Sequence, residues 1–494
     1  MEFYGEIKLD KEDSQHLYIQ LYKALKTLIL KDNIKGDQRL PPIRKLAKAL
    51  SINVVTVVNA YDILEKEGFV YKKIGSGTYV SPQILGSKEK MIGVPEEEGF
   101  SLIDQGYIQV GENMINFASA TPMPELFPVA DFKAVLNEVL DRDKGYAFGY
   151  QESQGYYPLR EILKKYIQSY GIDTEIDNIQ VISGAQQGID LIAKGILNYG
   201  DTVIVESPSY TGAIAAFRSR GAKIVDIALE EDGILLEELE KKIIIHRPKL
   251  IYIMPNFQNP TGISYSGEKK QKILEICRKY QVVVVEDDYL SELNFYSMNN
   301  QTLKAIDVHQ QVIYIKSFSK IFMPGLRLGF LVIPSRFYDQ LIVAKHSSDI
   351  STPGLLQRAF ALYLEKGIWQ GHLSYMEEQY KERFDCMVQS LKREMPKEVQ
   401  CLLPKGGVNF WLTLPQGISP KKLYEEALKE NIVFAPGHLF FLGKEDFGQL
   451  RLSIAAVSKD EIEVGIEKLG KIISKLLIKE SKKKESFEHY KPIL

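Results

Sequence analysis

From residue 114 onward the chain repeats one pattern: a short, continuous apolar run, then a stretch with helical spacing. The runs fall at 179–182, 202–205, 250–253, 282–285 and 312–315, and 328–332 comes after them. Helical stretches such as 187–197 and 268–280 lie between most of them. Runs of this kind, apolar at nearly every position and joined by helices, are strands buried on both faces. They predict a mainly parallel sheet covered by helices, an α/β body with no internal repeat.

The first 82 residues have another texture. The net charge of the chain is only -2, yet residues 20–82 hold eleven Lys and Arg against five Asp and Glu. A small basic segment on an acidic remainder suits contact with nucleic acid. Leu21, Leu25, Leu28 and Ile29 have helical spacing, and Asp32 to Gly36 supplies turn chemistry. Pro41-Pro42 opens a second helix with Ile43, Leu46, Ala47 and Leu50 inward. Asn53 is placed to cap a third, with Val57, Ala60, Tyr61 and Leu64 on one face. Residues 68–71 and 79–80 then read as strands about a glycine-rich tip at 73–78. Three helices and a β-hairpin make a winged helix-turn-helix.

The run Arg39-Leu-Pro-Pro-Ile-Arg44-Lys-Leu-Ala47, with Thr56-Val57, Ala60-Tyr61, Leu64, Glu67-Gly68 and Gly75-Ser-Gly77-Thr78, resembles the GntR-type DNA-binding domain. The resemblance implies a recognition helix in the major groove of promoter DNA and a wing tip in the minor groove. It assigns DNA contacts to Arg44, Asn53, Thr56 and Gly77. One position departs: the family usually has arginine after the Ser/Thr, and here Val54 comes after Asn53. Valine cannot make the bidentate contact to guanine, so either base readout differs, for instance through apolar contact with thymine methyls, or binding is weaker.

Chemistry gathers where the apolar runs end, the side on which open α/β sheets bind ligands. Glu286-Asp287-Asp288-Tyr289 follows one run, and Lys316-Ser317-Phe318-Ser319-Lys320 with Arg327 follows another. Pro255-Asn-Phe-Gln-Asn259-Pro-Thr-Gly262 follows a third, and Ser183-Gly184-Ala185-Gln186 opens a helix after a fourth. A partly desolvated lysine can form a Schiff base. A carboxylate opposite it can keep a pyridine nitrogen protonated. A helix N-terminus, hydroxyls and an arginine can cradle a phosphate. Together these needs specify pyridoxal 5′-phosphate. Residue types alone leave Lys316 as a rival to Lys320, and Glu286 and Asp288 as rivals to Asp287.

This stretch resembles the fold-type I aminotransferases of class I/II over about 360 residues. The resemblance makes Lys320 the Schiff-base lysine and pairs Asp287 with the pyridine nitrogen. It puts Asn259 and Tyr289 at the phenolic oxygen and stacks Tyr210 on the ring. It gives the phosphate to Ala185, Gln186, Ser317, Ser319 and Arg327, with Tyr150 reaching in from a neighbouring subunit. It makes Arg451 the grip for an effector α-carboxylate. Ala120 stands where the family often has glycine near that carboxylate.

A GntR-type reader on an aminotransferase-like body resembles the MocR subfamily of transcription regulators. That resemblance implies a homodimer that binds promoter DNA and senses a small amine, an amino acid or the cofactor itself, and it suggests a head-to-tail arrangement of the two copies. The alternative is an aminotransferase carrying a DNA-binding fusion. The expected division is 1–82 reader, 83–113 linker, 114–480 body and 481–494 basic tail. Cys277, Cys386 and Cys401 are too scattered for a zinc site or a redox pair, and no metal is expected. No signal-peptide pattern is visible, and no apolar run nears the ~20 residues of a membrane span. The expected compartment is cytoplasmic.

Overall fold

The protein is described by a computed structural model that covers residues 7, 9, 16–30, 38–66, 69–73, 76–81, 114–296, 300–443 and 448–488, with backbone alone at 30, 66 and 480–488. The chain divides into two units, Met1–Glu98 and Gly99–Leu494. The expected linker at 83–113, the tip residue Gly75 and the last six residues of the tail lie outside the described residues.

In the first unit, α1 (Leu17–Leu30) buries Leu21, Leu25 and Ile29, one residue per turn on one stripe. Helix α2 (Ile43–Ala49) begins directly after Pro41-Pro42 and buries Leu46 and Ala47. The side-chain oxygen of Asn53 accepts a hydrogen bond from the Val55 N–H at 3.0 Å, capping α3 (Val54–Lys66). Val57, Ala60, Tyr61 and Leu64 of α3 complete the core. Strands β1 (Val70–Lys73) and β2 (Gly77–Val80) pair antiparallel, Val70 facing Val80. The first strand thus begins two residues later than its pattern suggests. Gly77 has φ +129, and a Cβ there would press on the Arg39 guanidinium, so glycine is required at this turn into the wing.

In the second unit, β3 (Ile115–Asn116) pairs with β14 (Ile432–Val433). The main sheet holds β4 (Ile179–Ile182), β5 (Thr202–Ser207), β6 (Lys223–Glu230), β7 (Gly233–Ile234), β8 (Leu250–Ile253), β9 (Val283–Asp288), β10 (Val312–Ser317) and β11 (Gly329–Val332). Their order is β4-β11-β10-β9-β8-β5-β6-β7. Strands β10, β9, β8, β5 and β6 are mutually parallel; β11 runs antiparallel to both its neighbours. Side chains alternate between two cores: Val203, Val205, Leu250 and Tyr252 enter one, while Ile204, Ile251 and Ile253 enter the other. Fully burying each such aliphatic side chain is worth ~1.5–3 kcal/mol. A smaller sheet, β12 (Gln400–Cys401), β13 (Asn409–Thr413), β16 (Gln449–Ser453) and β15 (Ala435–Pro436), carries Arg451.

The last helix, Lys459–Glu488, runs unbroken across position 480, where the sequence pattern places the start of a basic tail. No proline or glycine falls between 471 and 488 to stop it. Among the described residues no single helix is long and apolar enough to cross a membrane.

Candidate functional site

A pocket of about 400 Å³ opens at the carboxyl ends of β8, β9 and β10. That size suits a small ligand or cofactor. It is lined by Lys320, Asp287, Tyr289, Asn259, Tyr210, Ala185, Gln186, Ser317, Ser319, Arg327 and Arg451. The structure therefore brings together every residue singled out for the cofactor and for an α-carboxylate except Tyr150. That side chain is 87% exposed and lies outside the pocket.

Strand parity sorts the rival residues. In β9, Asp287 shares a face with Val283 and Val285 and meets the pocket; Glu286 and Asp288 point the other way. Glu286 accepts hydrogen bonds from the backbone N–H groups of Leu303 and Lys304, both at 2.8 Å. Asp288 accepts from the Tyr314 hydroxyl at 2.6 Å. In β10, Ser317 meets the pocket and Lys316 faces away, 2.7 Å from Glu292 and 3.3 Å from Asp288. Burial works against its charge, but those two carboxylates hold Lys316 protonated, well above the ordinary lysine range. Lys316 is thus a buried ion-pair member and Lys320 the pocket amine.

Lys320 sits in the turn after β10. Burial, reinforced by Arg451 and Arg327, pulls its amine down to about 8. Part of it is neutral near physiological pH, the form that attacks a carbonyl. Opposite, burial pushes Asp287 up to about 6, while the Tyr252 hydroxyl pulls the other way. That hydroxyl donates to Asp287 Oδ2 at 2.6 Å, and Asp287 Oδ1 is buried with no partner among the described residues. A buried carboxylate oxygen left open on the pocket side is the acceptor that a protonated ring nitrogen requires.

The other end of the pocket is a phosphate cradle. The helix Ala185–Ile196 starts at Ala185 after Gly184, whose φ is +80. A Cβ on Gly184 would run into the Arg327 guanidinium, so the cradle closes only around glycine. Arg327 donates to the Ser183 carbonyl at 2.9 Å, and the Ser317 hydroxyl accepts from the Ser319 N–H at 3.3 Å. Ala185 has no polar side-chain atom, so it can serve a phosphate only through its backbone. Gln186 accepts from the Tyr210 hydroxyl at 3.1 Å and donates to the Gly212 carbonyl at 2.9 Å, which fixes the Tyr210 ring over the pocket.

On the third side, Arg451 donates to Asn259 Oδ1 at 3.0 Å and to the Ala118 carbonyl, with the Phe440 ring 5.1 Å away. Its Nε is buried without a partner among the described residues, an open donor on a residue that lines the pocket. Burial pulls Arg451 down to about 10, so it stays charged at neutral pH. Asn259 keeps its amide NH2 for the pocket. The Tyr289 hydroxyl donates to the Phe257 carbonyl at 2.6 Å and accepts from Asn409 at 3.1 Å. Its proton is therefore already engaged.

Sequence reasoning missed Tyr252, which looked like one more strand residue; the loop Asn116 to Thr121, where Ala120 is expected beside the carboxylate, does wall the pocket. That loop is a turn held by Asn116, whose side-chain oxygen accepts from the N–H groups of Ala118 and Ser119 at 3.1 and 3.0 Å. In the first unit, Arg44 and Asn53 are exposed, and Thr56 and Gly77 are half-buried.

The donor set, an amine, an open carboxylate oxygen, a cradle and an amide, fits pyridoxal 5′-phosphate. Residues 112–469 match the family described as aminotransferase class I and II, and residues 17–80 match the bacterial regulatory proteins of the gntR family. The chain is 36% identical to the 2-aminoadipate transaminase of Thermus thermophilus, over 74% of this chain and 91% of that one. It is 30% identical to the uncharacterized HTH-type transcriptional regulator YdfD of Bacillus subtilis, over 96% of this chain and 99% of that one. The solved multiple substrate aminotransferase of Thermococcus profundus aligns with a TM-score of 0.72 at 31% identity, over 79% of this chain and 96% of that one. This chain therefore belongs to the class I and II aminotransferases, whose cofactor is pyridoxal 5′-phosphate, and it joins that body to a gntR-family DNA-binding reader in the pairing of the MocR subfamily.

Proposed function

We propose that this protein is a pyridoxal phosphate-dependent transcription regulator that senses an amino-group effector, or the cofactor itself, through the body. The observation that carries this reading is the likeness to YdfD: a relative aligned over 96% of the chain, reader included, is an HTH-type transcriptional regulator.

When bound, the cofactor supplies an aldehyde that captures primary amines and a ring that withdraws electrons. The chain's own groups do the rest. Lys320 offers the neutral amine for attachment. Asp287 Oδ1 holds a proton at the ring nitrogen. Asn259 donates to the phenolic oxygen, and Tyr289 stands beside it. Tyr210 covers the ring. The Ala185 and Gln186 N–H groups, Ser317, Ser319 and Arg327 hold the phosphate. Arg451 grips an effector carboxylate. The exposed Tyr150 suits a homodimer in which each tyrosine completes the partner's cradle. In the reader, Arg44, Asn53, Thr56 and Gly77 face promoter DNA.

Residues 1–82 act as reader, 83–113 as hinge, 114–480 as body and 481–494 as tail. Readers and bodies are arranged head-to-tail across the dimer. Effector binding shifts reader placement only by its differential affinity for the two states, typically ~1–3 kcal/mol of coupling. The test is an absorbance titration with candidate amines and with cofactor, run beside a DNA-binding assay. Expected is a spectral change and a shift in DNA affinity at the same ligand concentration. Because the pocket gathers every expected cofactor residue but Tyr150, a second reading is an aminotransferase carrying a DNA-binding fusion. Sustained turnover of an amino donor with a keto acid, with DNA affinity unmoved by either, would establish it instead.

A further inference from the structure

The face of α3 opposite its core has an unusual composition for a DNA reader. Val57, Ala60, Tyr61 and Leu64 point inward. At about 100° per residue the outward face therefore carries Val55, Asn59 and Asp62, the last paired with Lys72 at 2.8 Å, with Val58 flanking; Val54 lies toward the core side but is bared as the first residue of the helix. Val54 is 42% and Val55 59% exposed, and Asn59 is exposed. Residues 54–59 contain no charge. The Asn53 side-chain oxygen is spent on the cap, so it is not free to accept from a base. Beside this neutral surface, Arg44, Lys45 and Lys48 of α2 are exposed and, among the described residues, not ion-paired. They supply phosphate attraction without base information.

We infer that α3 reads A·T pairs: Val54 and Val55 pack on thymine 5-methyl groups, and the Asn59 amide pairs with adenine N6 and N7. This rests on the DNA-binding reading above and names the sequence class it selects. Apolar contact with the thymine methyl and a bidentate amide on adenine are the major-groove partners of these residue types, as arginine is of guanine. Val55 and Asn59 stand one helical turn apart, with Cβ atoms ~5–6 Å from each other. That span matches neighbouring base pairs stacked ~3.4 Å apart. Two β-branched apolar residues bared side by side at the start of a helix gain nothing from water; a methyl-lined groove gives them a partner.

The test is selection of binding duplexes from random sequence by the full chain loaded with pyridoxal phosphate. Each half-site is expected to hold a fixed A·T core. Replacing its thymine with deoxyuridine, which lacks only the methyl, should weaken binding about four-fold, the equivalent of ~0.8 kcal/mol for one buried methylene. A Val54→Ala/Val55→Ala chain should bind both duplexes equally. Both positions are exposed, and an unchanged cofactor band and melting midpoint would show the fold intact. Asn59→Ala should lose the preference for adenine at the adjacent position. G·C-centred half-sites, an equal deoxyuridine penalty in the variant, or lost self-association in place of lost sequence preference would each overturn the inference. Enrichment of no sequence at all would sink the DNA-binding reading itself, and this inference with it.

Discussion

The reader and the body present their working side chains in opposite ways. On α3 of the reader, Val54 and Val55 are bared to solvent and Asn59 is exposed, its side chain without a hydrogen bond among the described residues. In the body, Asp287, Tyr210, Asn259 and Arg451 are each tied by a hydrogen bond to a second residue. The difference arises from solvation. A buried polar group without a partner costs ~1–3 kcal/mol, so a pocket of buried polar groups must be specified as a network. An exposed helix face carries no such penalty and is free to change its readout by one substitution. Changes in the body should therefore be felt through neighbours, and changes in the reader locally.

The largest expected effect is in the body. Lys320→Ala should abolish the covalent cofactor adduct trapped by borohydride, checked by peptide mass mapping, while the reader's fold is unaffected. The environment of Lys320 sharpens the point. Only the neutral amine attacks, and its value lies near 8 rather than 10.5. The rate of covalent capture should rise about tenfold per pH unit up to about pH 8 and then level off. A rise continuing beyond pH 10 would mean that the amine is solvated like a free lysine.

Next comes Tyr252→Phe, which removes the donor on Asp287 Oδ2 without touching the pocket wall. Leaving that oxygen unsatisfied should cost ~1–3 kcal/mol, roughly 5- to 150-fold in cofactor affinity. The loss has a sign in pH. Asp287 already titrates near 6 because of burial, and losing the hydroxyl pushes it higher. The carboxylate form is what a ring N–H needs, so the variant should bind cofactor worst at pH 6 and recover toward pH 8. Equal affinity at both values would show that Tyr252 does not tune Asp287.

In the reader, Arg44→Ala should weaken DNA binding about equally for all sequences and lower the slope of log affinity against log salt by about 1. An unchanged slope would turn Arg44 away from the phosphates. The smallest effect expected is Asn53→Ala. Loss of the α3 cap should cost about 1 kcal/mol of reader stability, seen as a lower melting midpoint, without a change in sequence preference.

Much of this was legible in the sequence because the body writes its chemistry at strand ends. Continuous apolar runs located β4, β5, β8, β9 and β10, and the residues just beyond them are the ones that meet in the pocket. What could not be read is what depends on register. Glu286, Asp287 and Asp288 are adjacent acids, and only the pleat decides which meets the pocket. Lys316 and Lys320 are separated in the same way. Strand β6 went unnoticed because Lys223 and Asp226 interrupt its apolar pattern. The direction of β11 was also hidden. Only eleven residues, 318–328, join it to β10, too few for the helical crossover that a parallel neighbour needs. In the reader, the helices were visible from spacing and capping, because Leu21, Leu25 and Ile29 or Val57, Ala60 and Leu64 face one core.

The β9 strand carries a further consequence for how such a protein can change over generations. Its three consecutive carboxylates serve three separate tasks, so a one-codon gain or loss upstream within the strand would present Glu286 or Asp288 to the bound vitamin derivative. It would also strand Lys316 without its counter-ions. A point substitution in β9 disturbs one of these tasks at a time, whereas a length change there disturbs all three. Related chains should accordingly vary in the loops flanking this segment and keep its residue count fixed.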